Sequence, residues 1–433
     1  MDGFCGIFDP IVVNAKALPV KQDEEHLSPF VAYQDNYRWP DLYTEIDEMI
    51  EASVLIYPLA ELRQKARKGE LESDVHAKDA VKLPLTHAQV LNIVKANKNS
   101  LLKFHKGFYQ EILETIVERS LKNSSVTPSE IVAVDDEFQT EELVYMVDVC
   151  HNRKRITICF RGTVTPTDWA TNVEVYMKEV ENPLKDHSSQ EPVVRVHNGF
   201  YDYLFSPSSR GATGPKGEHL CEYQEILQEH ILPVIEQYPG YKVYVTGHSL
   251  GGALGTLLAF ELAAAPDNVI PKPVSLFSIA SPYVGDASFR AAHQLLERQG
   301  KLRHLRLTNH KDAVTLVPKF SFRWNIFDRS SSVGSLFKHV GVNLRLFSGS
   351  DAFELSYPKV VSGTFSGFLN EFARGWDQSL LSNLTLWPSS YWTYHGLREY
   401  AARLAENKPS IEAMNLNELY ARPDVVGKLV PQF

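Results

Sequence analysis

Long apolar runs are missing from this sequence. No window approaches the ~18 uninterrupted apolar residues that a bilayer-spanning helix requires, so none is expected. Cysteine is scarce: Cys5, Cys150, Cys159 and Cys221 are the 4 in 433 residues, and none has C-x-x-C spacing. That excludes a disulfide framework and a zinc pattern, and leaves the thiols as small apolar fillers. An excess of basic charge is also lacking. Lys and Arg number 44 against 53 Asp and Glu, a net charge of −9, and the basic stretches are short and mixed with acids. Such a surface carries no polyanion footprint, so no nucleic-acid partner is expected. The opening Met1-Asp-Gly-Phe-Cys-Gly-Ile-Phe-Asp-Pro10 brings acids early and has no basic segment followed by an apolar core. No secretory signal is predicted, and an intracellular, reduced setting is expected. What is present is ordinary for a globular chain: 44% hydrophobic residues, enough for a sizeable core.

The first 130 residues read as a mostly helical extension packed on the remainder, 131–433. Asp41 to Lys68 has apolar residues at helical spacing, with a break predicted near Pro58. Thr86-His-Ala-Gln89 has capping-box form and opens helix reaching to about Leu121. Strands then begin: 142–149 and 155–160 flank a polar four-residue turn and predict a hairpin, and 193–196 is a further short strand. Helix 219–237, strand 241–246, helix 250–265, strand 274–280, helix 286–299 and strand 302–308 alternate as parallel α/β units do. Strand 340–347 closes the regular part. An insertion rich in Ser, Phe and Trp comes next, over about 348–393, and then a last helix from His395.

Residues 247–251, Gly247-His248-Ser249-Leu250-Gly251, form a complete G-x-S-x-G between an apolar β-branched strand and an Ala/Leu-rich helix. In that context the motif is a nucleophile elbow, with a serine hydroxyl on a strained turn and glycines permitting close strand–helix approach. A serine hydroxyl near its free pKa is a weak nucleophile and needs a base held by a third group. In α/β-hydrolases these come in chain order serine, acid, histidine. Asp312 lies on the loop just after strand 302–308; Asp286 competes, but it opens a helix and reads as an N-cap. Beyond Asp312 only His339 and His395 remain. His395 enters the last helix, the expected position for the base. His339 precedes an alternating strand and is expected to make a structural hydrogen bond instead. The oxyanion needs two donors: the backbone N–H of Leu250 and one from a separate loop, for which Thr163 in Phe160-Arg-Gly-Thr163 is the candidate.

Together these segments resemble the class 3 lipase family, the fungal-type triacylglycerol lipases. Residues 247–253 match its G-H-S-L-G-G-A throughout, and Phe160-Arg-Gly-Thr163 followed by Asp168, Trp169 and Asn172 resembles its oxyanion loop. Val196-His-Asn-Gly199-Phe200, Ser281-Pro-Tyr-Val284-Gly285-Asp286, and more loosely Asp312 to Pro318, complete the likeness. His339-Val-Gly341 fits the family's non-catalytic H-x-G, and His395 its base, although the long separation of Asp312 and His395 departs from compact members.

The resemblance implies an α/β-hydrolase fold, with a mostly parallel central sheet flanked by helices. It implies hydrolysis of carboxylic esters of acylglycerols at a lipid–water interface by Ser249, Asp312 and His395, with Thr163 and Leu250 at the oxyanion. No metal and no organic cofactor is called for. Thr165 to Asn172 would begin a mobile lid, and Trp169 could lie against the acyl chain there or pack on the core. Contact with a membrane or lipid-droplet surface fits the same picture. Two alternatives stay open: a phospholipase A1 or galactolipase with the same residues, and a non-catalytic binding or signalling module on the same fold.

Overall fold

The computed structural model describes residues 29–30, 37–71, 79–104, 106–121, 127–136, 143–163, 176–207, 219–317, 337–358, 393–422 and 425. Nine strands among them form one sheet in the order β1-β2-β3-β4-β7-β8-β9-β10-β11. In chain order these are β1 (Leu85–Thr86), β2 (Ser129–Asp135), β3 (Tyr145–Cys150), β4 (Arg155–Phe160), β7 (Lys242–His248), β8 (Val274–Ile279), β9 (Leu302–Asn309), β10 (Val342–Leu346) and β11 (Phe353–Ser356). The centre, β4-β7-β8-β9-β10, is parallel, and β1 to β3 and β11 add antiparallel edges. Two further strands, β5 (Met177–Glu181) and β6 (Val193–His197), form a separate antiparallel ribbon.

Both faces of the sheet are covered. This explains why the central strands read as unbroken apolar runs rather than alternating ones. One face carries α1 (Leu42–Arg67) and α10 (Leu397–Glu406), packed on Tyr244, Phe277, Ile279, Leu305, Leu307 and Leu344. The other carries α5 (Asn198–Phe205), α8 (Leu250–Ala264) and α9 (Ala287–Arg298), packed on Val243, Val245, Ile156, Ile158 and Leu276. A further run joins α6 (Glu222–Glu225) to α7 (Leu232–Gln237) through a wider π-helical stretch, Ile226–Ile231.

The predicted break near Pro58 does not occur. α1 is one continuous helix, capped by Asp41, whose Oδ1 accepts from the Thr44 N–H at 2.9 Å. Proline removes one donor and crowds the preceding turn, at a cost of about 3 kcal/mol in an exposed helix. Here Val54, Leu55, Ile56, Tyr57, Leu59 and Ala60 around it are all buried, and that packing offsets the loss. The Thr86 capping box forms as expected, with the Gln89 N–H donating to Thr86 Oγ1 at 3.2 Å and the Thr86 N–H donating to Gln89 Oε1 at 2.8 Å. It opens a succession of three helices, α2 (His87–Ala96), α3 (Lys98–Phe104) and α4 (Lys106–Leu121). The 145–160 hairpin is antiparallel as expected. β2, β5 and β11 were not expected. β11 shows that the regular part does not end with β10, and β1 and β2 carry the sheet across the expected boundary at residue 130.

The first helix is joined to the sheet by charge as well as by apolar contact. Glu45 and Arg303 of β9 form an ion pair with neither side chain exposed, Nη1 to Oε1 at 3.1 Å and Nη2 to Oε2 at 3.0 Å, and Tyr244 Oη donates to Glu45 at 2.6 Å. Glu51 lies 2.8 Å from His87 Nδ1 at the start of α2, and the other ring nitrogen of His87 is 3.7 Å from Asp148 of β3. Burial by itself would push the His87 imidazolium down. The two carboxylates more than offset this, and its pKa rises to about 9.

Candidate active site

Ser249 occupies the single residue between β7 and α8, at φ 59° and ψ −125°. This is the left-handed side of backbone space, which a non-glycine residue enters only when its surroundings hold it there. The Ser249 N–H donates to the Ile279 carbonyl at the end of β8 at 2.9 Å, and the Gly252 N–H donates to the Ser249 carbonyl at 2.9 Å. The flanking glycines serve close approach. A Cβ on Gly247 would stand 2.4 Å from the Gly251 carbonyl carbon, and one on Gly251 would stand 2.3 Å from the Phe160 carbonyl oxygen.

β9, two strands from β7, delivers Asp312 on its exit loop, and the approach to α10 delivers His395. His395 Nε2 is 2.9 Å from Ser249 Oγ, and its Nδ1 is 3.1 Å from both carboxylate oxygens of Asp312. A carboxylate can only accept, so Nδ1 carries the proton and Nε2 is left to accept from the serine hydroxyl. Asp312 is buried. Its Oδ2 also accepts from Tyr400 Oη at 2.6 Å and its Oδ1 from the Val314 N–H at 3.0 Å, so the carboxylate is fixed from three directions. Tyr400 Oη in turn accepts the Asn309 N–H at 2.9 Å, and Asn309 Nδ2 donates to the Tyr394 carbonyl at 3.0 Å, next to His395. Glu111 of α4 lies against Gly396 on the other side, and burial raises its carboxyl pKa.

The Arg161–Thr163 turn comes after β4 and lies beside the elbow. A Cβ on Gly162 would be 2.5 Å from the His248 carbonyl oxygen and 3.2 Å from Ser249 Cβ. The Gly162 N–H donates to Tyr57 Oη at 3.1 Å, and half-buried Thr163 is the next residue. Leu250 opens α8, where first-turn N–H groups have no acceptor inside the helix. His248 is wholly enclosed. Burial first, and then the neighbouring His395, push its pKa down to about 3, so its ring is neutral.

The other sequence candidates have separate duties. His339 stacks on Tyr283 with ring centroids 3.6 Å apart, and its Nε2 donates to the Thr315 carbonyl at 2.8 Å. Asp286 caps α9, accepting from the Ser288 N–H at 2.8 Å. Trp169 and the rest of the expected lid lie outside the described residues, as does most of the 348–393 insertion. Among the described residues no cluster of three or more His, Cys, Asp or Glu could hold a metal ion, and no helix is long and apolar enough to cross a membrane.

Residues 157–322 match the family model described as lipase (class 3). That segment belongs to the class 3 lipase family. Over 205 residues the chain is 32% identical to phospholipase A1 EG1, chloroplastic/mitochondrial, of Oryza sativa subsp. indica, covering 45% of this chain and 43% of that one. Over 207 residues it is 32% identical to galactolipase DONGLE, chloroplastic, of Arabidopsis thaliana, covering 45% and 41%. The chain therefore spans less than half the length of these curated relatives. Among solved structures, lipase II from Rhizopus niveus overlays at a TM-score of 0.39 with 22% identity, over 56% of this chain and 80% of that one.

The lipase segment holds Thr163, Ser249 and Asp312 but stops well before His395. Sequence reasoning missed three residues around it: Tyr57, Asn309 and Tyr400. Tyr400 was visible only as part of an apolar stripe. Tyr57 lies 191 residues from His248, and its one local signal is a phenol in a run of aliphatics, which when buried needs a hydrogen-bond partner.

Proposed function

We propose that the chain is a serine hydrolase acting on carboxylic esters of acylglycerols through an acyl-enzyme. The observation that carries this reading is the line Ser249 Oγ–His395 Nε2 at 2.9 Å and His395 Nδ1–Asp312 at 3.1 Å. In this mechanism His395 takes the hydroxyl proton as Ser249 attacks the ester carbonyl, and Asp312 stabilises the imidazolium that forms. The N–H groups of Leu250 and Thr163 receive the oxyanion. His395 then protonates the departing alkoxide, and water repeats the sequence in reverse to free the fatty acid. No metal or organic cofactor enters any step.

A second reading, phospholipase A1 or galactolipase, draws support from the names of these relatives and uses the same residues. The substrate is then a glycerolipid with a polar headgroup. In both readings the chain works at a lipid–water interface inside the cell. The buried thiols of Cys150, Cys159 and Cys221 support that setting, and the organelles in the relatives' names fall within it. Residues 1–130 are, in this proposal, an extension that completes the catalytic domain, and Trp169 belongs to a lid over the acyl chain.

The test is labelling of purified protein by a fluorophosphonate in detergent, then hydrolysis of tri- and diacylglycerols, phosphatidylcholine and monogalactosyldiacylglycerol. Labelling and ester release by wild type, both lost in Ser249→Ala, are expected. A folded wild type that neither labels nor hydrolyses any of these would leave the non-catalytic module as the surviving reading.

A further inference from the structure

Four groups from four parts of the chain form one hydrogen-bonded line beside the nucleophile, and each direction in it is forced. His248 Nε2 is 2.9 Å from the His395 carbonyl oxygen, which can only accept, so Nε2 carries the proton. The ring is neutral, so Nδ1 is an acceptor, and Tyr57 Oη, 3.1 Å away, donates to it. With its proton so committed, the phenol oxygen accepts the Gly162 N–H at 3.1 Å. The line runs Gly162 N–H, Tyr57 O–H, His248 N–H, His395 carbonyl. It joins the turn holding Thr163, the first helix, the elbow and the residue bearing the base, and all of it is buried.

We infer that Tyr57 and His248 are positioning residues that set the oxyanion turn and the base His395 against each other, through the Gly162 N–H at one end and the His395 carbonyl at the other. This inference rests on the proposed hydrolase reading. Neither side chain takes a proton in the proposed reaction, although the His248 ring packs on the His395 ring with centroids 4.7 Å apart. Their effect is geometric: ordinary rotation of the Arg161–Thr163 turn or of the His395 backbone would spoil the donor and acceptor directions that the transition state needs. A displacement of 1 Å in such a site costs up to about a hundredfold in rate. Two bonds hold the backbone at the base: Asn309 Nδ2 donates to the Tyr394 carbonyl at 3.0 Å, and the His248 N–H, from the elbow itself, donates to the His395 carbonyl at 2.9 Å.

The test compares wild type, Tyr57→Phe, His248→Asn and the double variant on one soluble p-nitrophenyl ester, with turnover expressed per serine titrated by a fluorophosphonate. Titration separates positioning from folding, since a misfolded fraction lowers the titre and not the turnover of the sites that remain. Each single variant is expected to lose about ten- to a hundredfold in kcat, with KM within about twofold. The double variant is expected to be no slower than the slower single, because both break the same line. Should Tyr57→Phe fail to accumulate, His248→Asn alone carries the test. It deletes the donor to the His395 carbonyl while leaving a polar group facing Tyr57. Turnover per titrated serine within twofold of wild type in the single variants, or losses that multiply in the double, would overturn the inference. An inert wild type would instead overturn the hydrolase reading.

Discussion

At the scale of single residues, chain order and local context separated the two histidines beyond Asp312, and their contacts keep them apart. His395 presents one ring nitrogen to Ser249 and the other to Asp312, whereas His339 gives its Nε2 proton to a backbone carbonyl. Paired substitutions test the difference. His395→Ala is expected to lower kcat by about a thousandfold or more, since loss of one triad member removes the base entirely. His339→Ala is expected to leave kcat within about tenfold while lowering stability by about 1 kcal/mol for a lost hydrogen bond. Near-normal ester hydrolysis by His395→Ala would contradict the proposed base. Asp312 was legible from its place after β9, but its second partner, Tyr400 Oη, was not. A tyrosine on an amphipathic stripe looks like core until its hydroxyl finds a carboxylate.

At the scale of elements, the elbow is a fit of backbone against backbone. Gly251→Ala would drive a methyl onto the Phe160 carbonyl, and neither partner can move without shifting β4 or α8. Loss of esterase activity together with a lower melting temperature is expected, since overpacking at such a site costs ~1–3 kcal/mol or more. Gly255→Ala, one turn on, meets nothing closer than a Val245 methyl at 3.3 Å, with Leu276 Cδ1 and the Thr246 carbonyl oxygen at 3.6 Å, and is expected to melt within a few degrees of wild type. The seam between α1 and α2 has a pH signature. His87 is held between Glu51 and Asp148 with its pKa raised to about 9, above the ordinary value near 6.5 that the unfolded chain would show. Its contribution is therefore fully present below about pH 6.5 and is lost as pH rises toward 9, on the order of 3 kcal/mol in all. Thermal melts across that range are expected to show falling stability, and His87→Gln to flatten the slope. An equal slope in the variant would assign the effect elsewhere.

At the scale of the whole molecule, the first helix is structural to the hydrolase sheet. Glu45 neutralises Arg303 in a place with no solvent, so Glu45→Gln leaves a guanidinium buried without its counter-charge. A loss of about 3–5 kcal/mol in urea unfolding is expected, and a midpoint unchanged from wild type would show that the pair is dispensable. The same packing explains why α1 carries apolar residues around most of its circumference, and why Pro58 does not break it: one side meets the sheet, the other meets α2, α4 and α10. Local propensity predicted a break there. Burial on both sides decided otherwise.

The sequence by itself determined the parallel α/β core, the strand–turn–helix at Ser249, and the chain order of Ser249, Asp312 and the two histidines that are candidates for the proposed base. All of these are written in short-range patterns: strand and helix periods, turn residues, and the sites where loops leave a sheet. The tertiary structure alone decided which side chains meet across long separations. It brought Tyr57 to His248, Tyr400 to Asp312 and Glu45 to Arg303, and it made β2, β5 and β11 into strands by giving them partners. The physical reason is the same in each case. A hydrogen bond or ion pair inside a protein depends on a direction and a partner within about 3 Å, and nothing in the neighbouring residues of a chain encodes what will stand there once the layers close.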